Sequence, residues 1–182
     1  MGHIRQLSEN LANKIAAGEV VERPASVIKE LTENSIDAKA KSITILVEQG
    51  GTSKMCVIDD GIGMNRADAL LCFSRHATSK IVDENDLFNI TTLGFRGEAI
   101  PSIASISVFT LETNNGEENT KVEYEFGKRK NVGSVAMNRG TKITVERIFQ
   151  NVPARLKYMK SINAEFAAIY SYVERLALAH PE

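Results

Sequence analysis

Apolar and polar residues follow two different periods along this 182-residue chain, and the switches between them divide it into elements. Residues 8–20 have helical spacing, with Leu11, Ile15 and the small pair Ala16 and Ala17 ahead of Gly18. Pro24, suited to a first helical turn, opens a longer run in which Val27, Leu31, Ser35 and Ala38 share one stripe. Beyond Ala40 the period drops to two: Ser42 to Val47 predict a strand, Gly50 and Gly51 a turn, and Met55 to Ile58 a second strand. Residues 66–73 return to a helical pattern. The stretch 74–97 is rich in Ser, Thr, Asn, Asp and Gly with few periodic apolar positions, and such a loop inside a compact domain is usually functional. After Gly97 a short helix leads into strands at 106–112, 121–127 and 141–149, separated by polar turns at 114–119 and 128–139. A closing amphipathic helix carries Phe166, Ile169, Tyr170, Val173, Leu176 and Ala177 on its apolar stripe. Strands that mostly run as adjacent pairs, not alternating with crossover helices, predict an α+β fold. Its form is a two-layer sandwich with a mixed, mostly antiparallel sheet and helices on one face.

Composition narrows the class without changing that picture. With 43% hydrophobic and 25% charged residues the chain is globular, and its length suffices to bury roughly 70% of the unfolded surface without a disulfide or structural metal. Cys56 and Cys72 sit among apolar neighbours and form no C-x-x-C pair, which points to reduced thiols and excludes zinc fingers and redox dithiols. Twenty-two basic against 23 acidic residues leave a net charge of -1, so no global field draws in DNA or anionic membranes and any nucleic-acid contact must be local. No apolar run approaches the roughly 18 residues of a spanning helix, and the amino terminus has no signal-like core. Gly2 invites a myristoylation reading, but Gln6 stands where that pattern asks for Ser or Thr. A soluble protein with no membrane partner is expected, in the cytoplasm of a bacterium or, if eukaryotic, the nucleus.

Three segments can carry chemistry. In Glu30-Leu-Thr-Glu33-Asn34-Ser-Ile-Asp37 the three acids and the carboxamide fall within an arc of about 100° on a helix. Like charges so placed repel by a few tenths of a kcal/mol per pair, which either solvent or a cation can relieve. The stripe therefore reads equally as a solvated face or as a site; in a site, Glu30 would be the base and Asn34 a ligand for hard Mg²⁺. Asp59-Asp60-Gly61-Ile62-Gly63-Met64 follows a strand, where a carboxylate could accept from an exocyclic amino group and glycines could admit a flat ring; tight turns have this composition too. Leu93 to Ile100 is a glycine-spaced loop opening a helix, either a phosphate-binding terminus or a plain connection. Neither the P-loop nor the dinucleotide glycine pattern occurs. Ser74 to Lys80 could close over phosphates as a lid or be an ordinary surface loop, and with only His3, His76 and His180 a histidine-rich metal centre is not available. Arg155, in Asn151-Val-Pro-Ala-Arg155, could hold an anion or face solvent, and Lys128-Arg129-Lys130 is read as a charged turn.

In this order the segments resemble the nucleotide-binding domain of the MutL mismatch-repair family, in the wider GHKL superfamily of gyrase B, the ninety-kilodalton heat-shock chaperone and histidine kinases. The resemblance runs from L-A-N-K-I-A-A-G-E-V-V-E-R-P-A-S-V-I-K-E-L-T-E-N-S-I-D-A through D-D-G-I-G, R-H-A-T-S-K and G-F-R-G-E-A to G-T-K-I-T-V and N-V-P-A-R, nearly the whole chain. It implies the Bergerat sandwich as the fold and Mg²⁺-dependent ATP hydrolysis as the activity. Glu30 is then the general base and Asn34 the Mg²⁺ ligand. Asp59 anchors adenine, with Gly61, Gly63, Met64 and Thr141 around the base. Thr78, Ser79 and Lys80 are lid contacts, and Gly94, Phe95, Arg96, Gly97, Glu98, Ala99 and Ile100 form the phosphate loop. Asp60 departs from the Asn common at its position, adding a negative charge of unsigned effect on nucleotide affinity. The resemblance also implies that 1–182 is one nucleotide-binding domain, followed in the family by a second subdomain that supplies a lysine to the γ-phosphate and by a dimerisation domain. Weak turnover and a monomeric state are expected of this chain, with ATP-driven homodimerisation and contacts to MutS and DNA in the full-length protein. The alternatives are another GHKL ATPase of the gyrase B or chaperone type, a non-enzymatic nucleotide-gated interaction module, and, last, a metal-dependent phosphoesterase built from Glu30, Glu33, Asp37 and Asp59.

Overall fold

The computed structural model describes residues 17–18, 21–75, 77 and 97–181. The helix expected at 8–20 and most of the loop 74–97 lie almost wholly outside those residues. Among the described residues, eleven helices and strands and one short 3₁₀ turn follow in chain order. Helix α1 (Pro24–Asp37) leads to β1 (Ile43–Glu48), the 3₁₀ turn Gln49–Gly51 and β2 (Lys54–Asp59). Helices α2 (Arg66–Leu71) and α3 (Ala99–Ser105) precede β3 (Val108–Asn114), β4 (Asn119–Glu125), β5 (Lys128–Gly133) and β6 (Gly140–Glu146). Helices α4 (Pro153–Tyr158) and α5 (Ile162–Ala179) close the chain.

The six strands form one sheet in the order β1-β2-β6-β3-β4-β5. All five pairings are antiparallel, so the described sheet contains no parallel component. Its two faces differ as strand alternation requires. Met55, Val57, Phe109, Leu111, Val122 and Val145 point inward and are at most 2% exposed, under Val27, Ile28 and Leu31 of α1 and Ile103 of α3. Burying each of these large side chains is worth about 1.5–3 kcal/mol. The outer face carries a charge ladder in which Lys142 reaches Glu112 at 2.6 Å and Lys121 reaches Glu123 at 2.8 Å. Aromatic contacts fill the far end, where Phe73 stacks on Tyr124 at 4.1 Å and meets Phe109 edge-on at 5.5 Å.

Two expectations need correction. Residues 128–139 are not simply a polar turn: 128–133 form edge strand β5, joined to β4 by a tight turn at Phe126–Gly127. The charged run Lys128-Arg129-Lys130 therefore lies in a strand, and charge on an exposed edge protects it from pairing with other chains. The stripe on α5 is also rotated. Phe166 and Tyr170 are 50% and 60% exposed, whereas Glu165 and Ile169 are buried. A paired charge causes the rotation: Glu165, 2% exposed, meets Arg23 at 2.9 Å and accepts from the Lys160 amide at 3.0 Å. This pair fastens α5 to the chain just ahead of α1.

Candidate nucleotide site

The inner ends of β2, β6 and β3 meet the last turns of α1, and the Asp59 carboxylate lies at the junction. It is 9% exposed. Its Oδ2 accepts from the Ser35 hydroxyl at 2.8 Å, and its Oδ1 accepts from the Gly61 amide at 3.0 Å and the Thr141 amide at 3.1 Å. Charge-assisted bonds of this kind hold an ionised acid in place while leaving lone pairs for a ligand. The buried Thr113, not anticipated from the sequence, extends the network: its hydroxyl accepts from the Met64 amide at 2.9 Å and lies 3.1 Å from both the Gly140 carbonyl and the Thr141 hydroxyl. Its only sequence signal is its place at the end of a strand that pairs with the Thr141 strand. The Gly61–Met64 turn is thus tied to β3, and through the Ile62 amide to the Ala38 carbonyl at 3.0 Å. Gly63 has a φ of 69°, and a Cβ there would come within 2.0 Å of the Asn114 carbonyl oxygen, so the close approach requires glycine.

Asp60 turns the other way. Its exposed carboxylate accepts from the Lys41 and Ser42 amides at 2.7 and 2.9 Å, and these bonds hold its pKa below the ordinary carboxylate value. An Asn side chain offers the same acceptor oxygen, so the departure at this position preserves the turn.

The acidic stripe on α1 is divided by its neighbours. Taking Ser35 as the side facing Asp59, Asn34 lies about 100° round the helix and Glu30 about 140° in the same direction, while Glu33 is roughly 160° the other way. Glu33 accordingly sits beside Thr32 and faces α5, where the Tyr172 hydroxyl donates to it at 3.4 Å. Burial raises the Glu33 pKa above its usual value, and the charges of Glu30 and Asp37 add to the rise. Burial, with the charges of Glu33 and Glu30 beside it, pushes the Tyr172 hydroxyl up to about 12. Among the described residues no three His, Cys, Asp or Glu side chains converge to hold a metal, which removes the basis for a phosphoesterase built from Glu30, Glu33, Asp37 and Asp59.

Of the expected phosphate loop, Gly97, Glu98, Ala99 and Ile100 are described, at the head of α3; Gly94, Phe95 and Arg96 lie outside the described residues, as do the lid residues Thr78, Ser79 and Lys80. Gly97 has a φ of 61°, and a Cβ there would meet the Ala77 carbonyl oxygen at 2.5 Å, so the head of α3 closely approaches the described end of the segment expected to act as a lid. The Ser102 amide bonds the Glu98 carbonyl, and Pro101 lies in the first turn, where its missing N–H costs nothing. An open cavity of about 610 Å³ beside α2, lined by Asn65, Arg66 and Glu118 among others, includes none of these residues.

The sequence pattern of the histidine kinase-, DNA gyrase B- and HSP90-like ATPases matches residues 22–158. The chain belongs to this family. Along its whole length it is similar to DNA mismatch repair protein MutL of Geobacillus kaustophilus, 57% identical over 183 residues, and to that of Halalkalibacterium halodurans, 55% identical over 182. In each case it spans 29% of the relative's length. Among solved structures, the Aquifex aeolicus MutL ATPase domain complexed with ADP superposes with a TM-score of 0.66 at 28% identity, over 89% of this chain and 57% of that one. The N-terminal domain of a DNA repair protein superposes with a TM-score of 0.74 at 27% identity, over 89% of this chain and 47% of that one. The GHKL fold expected from the sequence is thereby established. No described helix is long and apolar enough to cross a membrane.

Proposed function

We propose that this chain binds ATP between α1, the end of β2 and the head of α3, and hydrolyses it slowly as the nucleotide-binding domain of a MutL-type mismatch-repair protein. The observation that carries this reading is the buried Asp59 carboxylate, fixed by three donors beside a glycine turn, an arrangement suited to an adenine amino group. The similarity to a MutL domain complexed with ADP supports it.

In this reading Asp59 accepts from the exocyclic amine, and Thr141 lies beside it. Gly61, Gly63 and Met64 line the base. The phosphates extend toward Gly97–Ile100, with Gly94–Arg96 and Thr78–Lys80 completing the enclosure. Glu30 takes a proton from the attacking water; the engagement of Glu33 by Tyr172 supports Glu30 over Glu33 for that role. Asn34 would hold a Mg²⁺ together with phosphate oxygens, because one carboxamide oxygen is a neutral hard donor and no group of three acids converges among the described residues. When bound, that ion neutralises charge developing on the phosphates.

Residues 1–182 act as one domain of a longer protein, in which ATP binding orders a surface for homodimerisation and for recruiting MutS and DNA in the cytoplasm. Alone the chain is a monomer with weak turnover, since transition-state charge goes partly unmet without the lysine expected from a second subdomain. The test is Glu30→Ala: ATP hydrolysis is lost while nucleotide binding persists. Hydrolysis at the parental rate would remove Glu30 from the mechanism.

A further inference from the structure

The segment after β6, a loop that runs into the first turn of α4 and carries the Asn-Val-Pro-Ala-Arg run, is bonded to two elements at once. Toward α3, the Phe149 amide donates to the Ile106 carbonyl and the Asn151 side-chain amide to the Ser105 carbonyl, both at 2.9 Å. Toward α1, Arg155 donates through Nη1 to the Val21 carbonyl at 2.7 Å and through Nη2 to the Gly18 carbonyl. Its guanidinium lies 5.9 Å from the centre of the Phe149 ring. Arg155 is thus neither a solvent-facing cation nor placed on an anion; its planar fork spans two backbone carbonyls. The loop itself is over-determined. Arg147 and Phe149 hold φ values of 53° and 63°, which residues with a Cβ adopt only where their surroundings impose them.

The elements at either end are the ones the ATPase reading needs in register. Val21 is fully buried three residues ahead of Pro24, the first residue of α1. Glu30 stands six residues, roughly 9 Å, beyond Pro24 along a stiff helix, so a shift at the start of α1 carries it along. Ser105 ends the helix whose first residue, Ala99, belongs to the phosphate loop.

We propose that the segment 147–155, a loop and the first turn of α4, is a brace fixing the separation between Glu30 and the phosphate-facing head of α3, with Arg155 and Asn151 as positioning residues for water attack. This rests on the ATPase reading above. The adenine end of the site is held by other contacts, through Ser35, Gly61, Thr113 and Thr141, so loosening the brace affects turnover and largely spares affinity.

Arg155→Ala, Arg155→Lys and Asn151→Ala are compared with the parent in three readouts: ADP affinity by calorimetry, single-turnover ATP hydrolysis with Mg²⁺, and amide hydrogen exchange over residues 21–30 without nucleotide. A misplacement of about 1 Å costs on the order of a hundredfold in rate, so Arg155→Ala is expected to lose roughly ten- to a hundredfold in turnover. Its ADP affinity stays within about threefold of the parent, and exchange rises at the start of α1. Arg155→Lys keeps the cation but not the fork and recovers part of both effects. Asn151→Ala lowers the rate without raising exchange at 21–30. Affinity and rate falling together in Arg155→Ala with no recovery in Arg155→Lys would overturn the positioning role, as would unchanged rate and exchange. A parent that neither binds ADP nor hydrolyses ATP would instead refute the ATPase reading, and the exchange measurement would still decide whether the brace exists.

Discussion

Replacing Asp59 by Asn separates the role of the carboxylate in the fold from its role toward a ligand. An Asn keeps Oδ1 on the Gly61 and Thr141 amides and places an NH₂ group opposite Ser35, whose hydroxyl then accepts and turns its proton to the Leu31 carbonyl at 3.1 Å. The flipped amide is worse, because its NH₂ would face two backbone N–H groups. Every internal partner is retained, but the bonds lose their charge, at a cost of about 1–2 kcal/mol. For a chain of this length that lowers the melting temperature by roughly 2–8 °C. Toward adenine the effect is larger: an NH₂ donor meets another donor where the acid is only 9% exposed, and two unsatisfied groups cost about 3 kcal/mol or more. Asp59→Asn should therefore remain folded by circular dichroism and lose at least roughly a hundredfold in ADP affinity by calorimetry. A folded variant that keeps its affinity within about tenfold would refute the assignment of Asp59 to the base.

Asp60→Asn should leave ADP affinity unchanged, because the Lys41 and Ser42 amides keep an acceptor on the far side of the turn; a clear loss in calorimetry would mean that its charge reaches the nucleotide. Glu33 has a raised folded-state pKa, mainly from burial, so its stabilising contribution is present below the unfolded value of 4.5 and is lost as pH rises through the folded value. Glu33→Gln should accordingly raise the melting temperature relative to the parent at pH 7 and not at pH 4, and an equal difference at both would contradict the burial argument. Glu165→Ala strands Arg23, which is 32% exposed and can rehydrate, so the loss lies near the low end for a broken buried pair, about 3 kcal/mol by denaturant unfolding. In Arg23→Ala that same substitution should cost markedly less; full additivity would show the pair to be uncoupled.

What the sequence made legible was whatever repeats locally. Val27, Leu31 and Ser35 mark the buried stripe of α1, and the alternation around Gly50 and Gly51 marks the β1–β2 hairpin. Strand β5 escaped because Lys128, Arg129, Lys130 and Asn131 are all exposed, and only backbone pairing with β4 makes them a strand. On α5 the periodicity selected Phe166 and Tyr170, since nothing near Glu165 in sequence announces Arg23, 142 positions away. Arg155 was ambiguous for the same reason: its partners are two carbonyls more than 130 residues earlier. Asp59 and the α1 acids were identifiable as candidate chemistry. The division of the stripe between Asn34 and Glu33 needed the positions of Ser35 and Tyr172, which only the tertiary fold supplies.

Calorimetric titration of ADP with and without Mg²⁺ decides whether the chain holds an adenine nucleotide whose phosphates recruit Mg²⁺ through Asn34. Saturable binding at a single site in the micromolar range is expected, tightening with Mg²⁺ in the parent and no longer doing so in Asn34→Ala. The absence of saturable binding at millimolar ADP would contradict it.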